Sequence, residues 1–567
     1  MSIPDKVLSI VLVFLCCLFC FSVLKHISYP LLWQDEAETA MYAKRIIQFG
    51  YPKVHDGKNT IYQLIHPNPD LGVDKKTDAF IGSGWGMYYF AAIGVALAEN
   101  VNDIYQKTAL VRMPFSIIGI LGILIFAFAA ATLFIARRTS ILLFLVSFIL
   151  LELFSISLTL HLREVRYYSL VIFLSACLLF IYIHNGFIKK WNQTIYGFAL
   201  IILLFLIFNT FYPLYIAFFV AIFLYESINI ILEHLKEKSL LNQQNTCNKN
   251  SMLSSVLWKK FSIRLLPLLL SLFSTLPLFV FYNIFDISQE FSRYYRFDIL
   301  VYYQHITRVV VFFHRYEFLY IALTIKIVLI VLWKLKNNFL FDDNSKRIFR
   351  VSNFLSLLFV ISILVISRIP SPMWERYVIV CQPILMIILL LDAFIIWDCL
   401  GKRKLKIIFA FVLIILAAIT PENKIKSVEG HAYELFHQYQ GPLDYLIPFI
   451  KSKYEDTRNL VIATNYEEYS YMYYLDSRIT IGSWGYNLKE DLKILPDIII
   501  FRKGPNRNPE IFNEILAKGK YRRTVFPVYD YPVNNIPELI LNPHHLFKTP
   551  FSQNDLECVD IYLKETD

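Results

Sequence analysis

Residues 117–136 read IIGILGILIFAFAAATLFIA, with no charged residue among them. Crossing the hydrocarbon of a bilayer takes about 20 mostly apolar residues in a helix, because no water is there to satisfy the backbone amides. Working outward, SIVLVFLCCLFCFSVL (9–24) and LMIILLLDAFII (385–396) repeat the pattern at the two ends of a long apolar region. Only 18% of the 567 residues are Asp, Glu, Lys or Arg, 56% are hydrophobic, and the mean hydropathy is +0.49. A soluble domain of this size would carry more charge to cover its surface. The fold class expected is mainly α: a polytopic membrane protein with a separate polar tail.

About eleven spans are expected, over 8–28, 112–135, 140–160, 167–186, 195–209, 211–230, 263–283, 312–333, 350–367, 377–397 and 405–420. The first run lacks a small-residue cleavage motif before HISYPLLWQDE, so it reads as a retained helix. Arg137-Arg138, Lys189-Lys190, the lysines of 232–264, the basic stretch 334–350 and Lys402-Arg403-Lys404 fall on one side, which the positive-inside rule makes cytoplasmic. The formal charge of +10 is thus largely topology and not a nucleic-acid footprint. Residues 29–111, 160–167, 284–311, 368–376 and everything after 420 then lie outside. The apolar-aromatic piece 84–98 is too short to span comfortably and is expected to lie at the interface. Eight cysteines are scattered through apolar runs and loops, and no disulfide is expected.

Two domains follow: 1–420, a transmembrane region with the external loop 29–111, and 421–567, an extracytoplasmic α/β domain. In the latter, LVIAT (460–464), ITIG (479–482) and DIIIF (497–501) read as strands, with EEYSYMYYLD and PEIFNEILAKG as helices between and after them.

The polar chemistry gathers on the outer side. In LLWQDEAETAMYAKRIIQFGYP (31–52), Asp35, Glu36 and Glu38 open an amphipathic helix with an Ala37, Ala40, Met41, Ala43, Ile46, Ile47 stripe, closed by Gly50 and Pro52. Asp35 reads either as an N-cap or as a general base taking a proton from an acceptor hydroxyl. In LHLREVRYYSLV (160–171), Arg163 and Arg166 flank Glu164, against the usual charge bias; their planar forks suit a phosphate, or an internal pair with nearby acids. Arg368, Glu375 and Arg376 stand in SRIPSPMWERYVIV (367–380), and Arg293 and Arg296 in FSRYYRFDILVYYQH (291–305), where they are candidate phosphate or acceptor contacts. No Walker loop, dinucleotide fingerprint or close Cys/His metal spacing is present. A divalent metal held by an acid and one of His55, His66, His161 or His305 stays open. Outside the membrane no ATP or nucleotide sugar is at hand, so a lipid-linked donor is the natural energy source.

These motifs resemble the polyprenyl-phosphate-dependent GT-C glycosyltransferases, particularly the bacterial protein O-mannosyltransferase and aminoarabinose lipid A transferase group. Asp35-Glu36, Gly50-Tyr51-Pro52 and Asp56-Gly57 match that family's first external loop, Arg112-Met113-Pro114 the start of the next span, and Arg163-Glu164-Val165-Arg166 and Glu375-Arg376-Tyr377 two later motifs. The pattern covers roughly residues 1–400. It departs at Ser83-Gly84-Trp85-Gly86-Met87-Tyr88, where the family has a Lys/His-Pro-Pro-Leu-like element.

The resemblance implies inverting sugar transfer from a polyprenyl-phosphate donor to a lipid, glycan or protein acceptor, in a bacterial inner membrane. It makes Asp35 the base, has Glu36 or Glu38 orient the loop or contact the donor sugar, and gives Arg163, Arg166 and Arg376 the donor phosphate. Arg112, Glu164 and Glu375 stand as further contacts. The alternative is a lipid or solute transporter, which would favour paired halves and discontinuous helices near the midplane; a scaffold displaying the tail is the third reading.

Overall fold

A computed structural model of the chain describes residues 3–61, 72–134, 138–243, 249–287, 298–335, 342–369, 375–400, 403–419, 422–483, 485, 488–503, 509–530 and 547–565. Among these, seven helices are long and apolar enough to cross a membrane, or nine if two sharply bent pairs each count as one span. The protein is a mainly α, polytopic membrane protein with a C-terminal β-sheet. Against the eleven spans expected, seven to nine stand among the described residues. The spans expected over 195–209 and 211–230 meet at a real break: in the helical stretch Gln193–Gln243 two helices join across a kink at Phe211 (φ −152°, ψ 86°), just ahead of Pro213. Residues 405–420 form the helix Arg403–Ala418, whose 16 residues are short for a crossing. The stretch 84–98 becomes α3 (Gly86–Leu97), 12 residues long, as its length predicts.

The chain divides into two compact units: Met1–Cys20, Gly119–Leu158 and Leu170–Ile425 in the first; Phe21–Ile118, Thr159–Ser169 and Lys426–Asp567 in the second. The first unit holds most of the spans. Both bends lie there or run out of it: Arg138–Leu153 with Ile156–Leu162 at 82°, and Ile299–Tyr316 with Leu319–Lys334 at 94°. Side chains pair within it: the buried Asp392 and Ser352 with the partly buried Lys326, and the buried Lys424 with Glu317.

The second unit gathers the loop after the first helix and the tail. Its α2 (Gln34–Phe49) is the amphipathic helix expected: Ala37, Ala40, Met41, Ala43 and Ile46 are buried, while Ile47 stays exposed. Gly50 ends it in the left-handed region (φ 85°), donating its N–H to the Ile46 carbonyl, which is where a residue without Cβ is favoured. Helix α3 packs on α2 and crosses α4 (Ile104–Ala131) at Gly94, where a Cβ would come within 2.8 Å of the Val111 backbone.

The tail carries a five-stranded mixed sheet. With β1 (Val73–Asp74) and β2 (Ala79–Phe80) forming a small hairpin earlier in the chain, its strands are β3 (Val461–Thr464), β4 (Arg478–Ile481), β5 (Ile498–Ile500), β6 (Tyr521–Tyr529) and β7 (Cys558–Lys564), in the order β4-β3-β5-β7-β6. β3 runs parallel to β4 and β5, and β7 antiparallel to β5 and β6. Ala463, Ile481, Ile499, Phe512 and Ile515 form a core between this sheet and the helix Pro509–Lys518. The three strands and two helices read from the sequence are present; β6 and β7 are additional.

Candidate functional site

Every residue from Leu31 to Ala40 is buried except Asp35, and every residue from His161 to Ser169 is buried except Arg166. These two stretches meet in the second unit. Arg166 Nη1 donates to the Asp35 carbonyl (3.2 Å), to Glu38 Oε2 (3.0 Å) and to Thr39 Oγ1 (3.2 Å), while its Nη2 lies 3.8 Å from Asp35 Oδ2. The side chains of Asp35 and Arg166 are each 16% exposed. Asp35 is not an N-cap: Trp33 holds that position without a side-chain cap, and Asp35 stands inside the first turn.

Beside this half-open pair stands a sealed one. Arg112 grips Glu36 with two bonds, Nε to Oε1 at 2.8 Å and Nη2 to Oε2 at 2.5 Å, and its Nη1 donates to the carbonyls of Ile27 and Pro30. Glu36 Oε1 also accepts the Val165 N–H at 3.0 Å, so one carboxylate ties the start of α2 to α4 and to the 163–166 turn. Glu164 is held alongside, accepting the Trp33 indole N–H at 3.2 Å. Both oxygens of Glu36 are engaged.

Arg163 is committed elsewhere. Its Nη2 donates to Glu434 Oε1 at 2.5 Å, Glu434 Oε2 faces His431 Nδ1 at 3.2 Å, and His431 Nε2 faces Ser22 Oγ at 2.8 Å. All four side chains are buried. The internal pairing considered for Arg163 is realised, with an acid of the tail as partner instead of Glu164 or one from the first loop. No pattern around Glu434 marks it in the sequence. Of the remaining candidates, Glu375 and Arg376 lie in the first unit on a 3₁₀ turn; Glu375 is buried against Arg308, a partner that sequence reading passed over. Arg293 and Arg296 lie outside the described residues.

Burial pushes Glu38 up to about 7, against the pull of Arg166 and with Asp35 and Glu468 adding to the rise. Tyr88 is close enough for Glu38, Arg166 and Asp35 to act on it; its hydroxyl is 3.0 Å from Ser83 Oγ, and burial raises it well above the usual phenol range. The sequence that departs from the family's Pro-Pro element thus supplies a tyrosine beside the acids. Among the described residues no group of three or more His, Cys, Asp and Glu side chains is arranged to hold a metal ion.

Chemically, the arrangement offers one partly accessible carboxylate beside one partly accessible guanidinium, both seated on side chains that are buried and paired. No family model matches the sequence, and neither does any curated protein. Among solved structures, ArnT from Cupriavidus metallidurans in the apo state is similar at 11% identity, covering 98% of this chain and 97% of that one, with a TM-score of 0.47. The same protein bound to undecaprenyl phosphate is similar at 11% identity, covering 99% and 98%, with a TM-score of 0.46. At that identity and score the likeness assigns neither activity nor substrate to this chain.

Proposed function

We propose that this protein transfers a sugar, with inversion, from a polyprenyl-phosphate-linked donor to a lipid, glycan or protein acceptor at the outer face of a bacterial cytoplasmic membrane. The observation that carries this reading is the Asp35–Arg166 pair, the one opening in two otherwise buried stretches whose motifs resemble the GT-C transferases. In the proposed step the acceptor hydroxyl gives its proton to the Asp35 carboxylate as its oxygen attacks the anomeric carbon. The bond from that carbon to the phosphate oxygen breaks, and its electron pair leaves with the polyprenyl phosphate. Phosphate is already a good leaving group, so the site needs charge stabilisation more than a general acid, and Arg166 supplies it. Glu36 and Arg112 act as positioning residues, as does Arg163 through Glu434.

The test is transfer of radiolabel from polyprenyl-phosphate sugars to an envelope extract by purified protein in lipid, with Asp35→Asn run beside the wild type. Labelled product from the wild type alone supports the reading; equal turnover by the variant overturns it.

A second reading, transport of a lipid or solute, draws on the first unit. Its two bent helix pairs carry the buried carboxylates Glu152 and Glu317 at or beside their breaks, and discontinuous helices with buried acids are found at transport sites. Label crossing the bilayer chemically unchanged in the same assay selects this reading.

A further inference from the structure

Two helical turns beyond the acids, α2 borders a second cavity of about 250 Å³ within the same unit. Lys44 and Gln48 of α2, Val95 at the end of α3, Glu99 just beyond it, Lys107 of α4 and Tyr473 of the tail line it. The Lys107 ammonium stands 5.0 Å over the Tyr473 ring. Tyr473 is 3% exposed, and among the described residues its hydroxyl has no hydrogen-bond partner. That hydroxyl is sealed from the cavity, so Tyr473 borders it with its ring, over which the Lys107 ammonium stands without an ion-pair partner among the described residues. The acids facing the site are Glu99 and Asp476, the latter 3.0 Å from Lys44.

The surroundings narrow the occupant. On the α3 side the neighbouring surface is apolar and open: Ile93 is 51% exposed and Leu97 60%, with Ile47 of α2 at 45%. A 12-residue helix too short to span, with such a face, suits the boundary between headgroups and acyl chains. Two ammonium groups and an amide complement a phosphate. One exposed carboxylate at the rim complements an amine.

We propose that this cavity binds the zwitterionic headgroup of a membrane phospholipid, the phosphodiester between Lys44 and Lys107 and the ammonium against Glu99. The site is separate from the Asp35–Arg166 pair and does not depend on the transferase reading. It would fix the second unit to the bilayer surface through a lipid.

Native mass spectrometry of the full chain, released from detergent micelles, tests it with phosphatidylethanolamine, phosphatidylglycerol and inorganic phosphate as probes. Phosphatidylethanolamine is expected to bind in preference to phosphatidylglycerol, with inorganic phosphate a poor competitor. Lys107→Gln should lower its occupancy by about tenfold, the size expected for one charge-assisted hydrogen bond. Glu99→Gln changes an exposed rim residue, leaves folding intact, and should turn the preference towards phosphatidylglycerol. Unchanged binding in Lys107→Gln, or an unchanged lipid preference in Glu99→Gln, overturns the proposal. Competition by inorganic phosphate as effective as by the lipid also overturns it, leaving a site for a free anion.

Discussion

Glu36 and Asp35 are neighbours in the first turn of one helix, each faces an arginine, and the two pairs differ in almost every physical respect. Glu36–Arg112 is bidentate, at 2.8 and 2.5 Å, with side chains 0% and 2% exposed. Asp35–Arg166 approaches only to 3.8 Å and keeps 16% of each side chain open. A sealed pair of charges must satisfy itself completely, since each buried ion costs several kcal/mol to desolvate, and Glu36 does so with Arg112 and the Val165 amide. An open pair bears less of that cost and leaves room for a third party. The acids of α2 therefore differ in kind: one ties down the turn that carries Arg166, and the other, on the proposed reading, faces what enters.

That contrast is broken or sharpened by substituting its members. Asp35→Asn, which changes one atom at the open pair, should lose about 100- to 10,000-fold of transfer while keeping the wild-type melting temperature. Comparable activity in the variant would leave the open pair without a catalytic role. Arg166→Ala should lose about 100- to 1000-fold, the usual consequence of removing one donor to a developing negative charge. Arg166→Lys should recover only part, because a point charge replaces a planar fork. Glu36→Gln is expected to act differently. It leaves Arg112 buried without its counter-ion and should destabilise the fold by about 3–5 kcal/mol, read as a lowered melting temperature in detergent. If it retained stability but lost activity, Glu36 would belong with Asp35 and the division would fail.

How much of this the sequence disclosed depends on the distance over which each feature is specified. Helix α2, its stripe and its Gly50 stop are local and are legible residue by residue; so are β3, β4 and β5, as short apolar runs between turn residues. The last two strands are harder to read. Tyr521–Tyr529 is interrupted by Arg522, Arg523 and Pro527, and Cys558–Lys564 by Asp560, which is buried only because Arg523 and Lys503 pair with it. The break at Phe211 is legible too: the spans expected over 195–209 and 211–230 part at residue 210, beside the kink and ahead of Pro213. At the site, Asp35 and Arg166 stand in stretches legible from the sequence, and folding brings them within 3.8 Å of each other. Arg163 does not, because its partner Glu434 is 271 positions away and no local pattern announces a pairing that only tertiary folding makes.

The smallest expected effect concerns Glu38, which sits between the two pairs: buried like Glu36, yet bonded to the open Arg166 at 3.0 Å. Its folded pKa of about 7 lies above the 4.5 of a free glutamate, so the protonated form favours the folded state. That contribution is fully present below about pH 4.5 and is lost as the pH rises through 7, amounting to at most about 3 kcal/mol. Asp444, also raised to about 7 by burial, adds a loss of the same sign over pH 4–7. Glu38→Gln should therefore flatten, without abolishing, the fall in melting temperature between pH 5 and pH 8, and should be the more stable protein at pH 8. Its transfer activity should drop only modestly, since Arg166 keeps Asp35. Activity lost as completely as in Asp35→Asn, with a wild-type pH–stability curve, would instead make Glu38 the proton acceptor: a carboxylate poised near 7 is well matched to that task, and openness would then be the wrong guide to which acid of α2 does the chemistry.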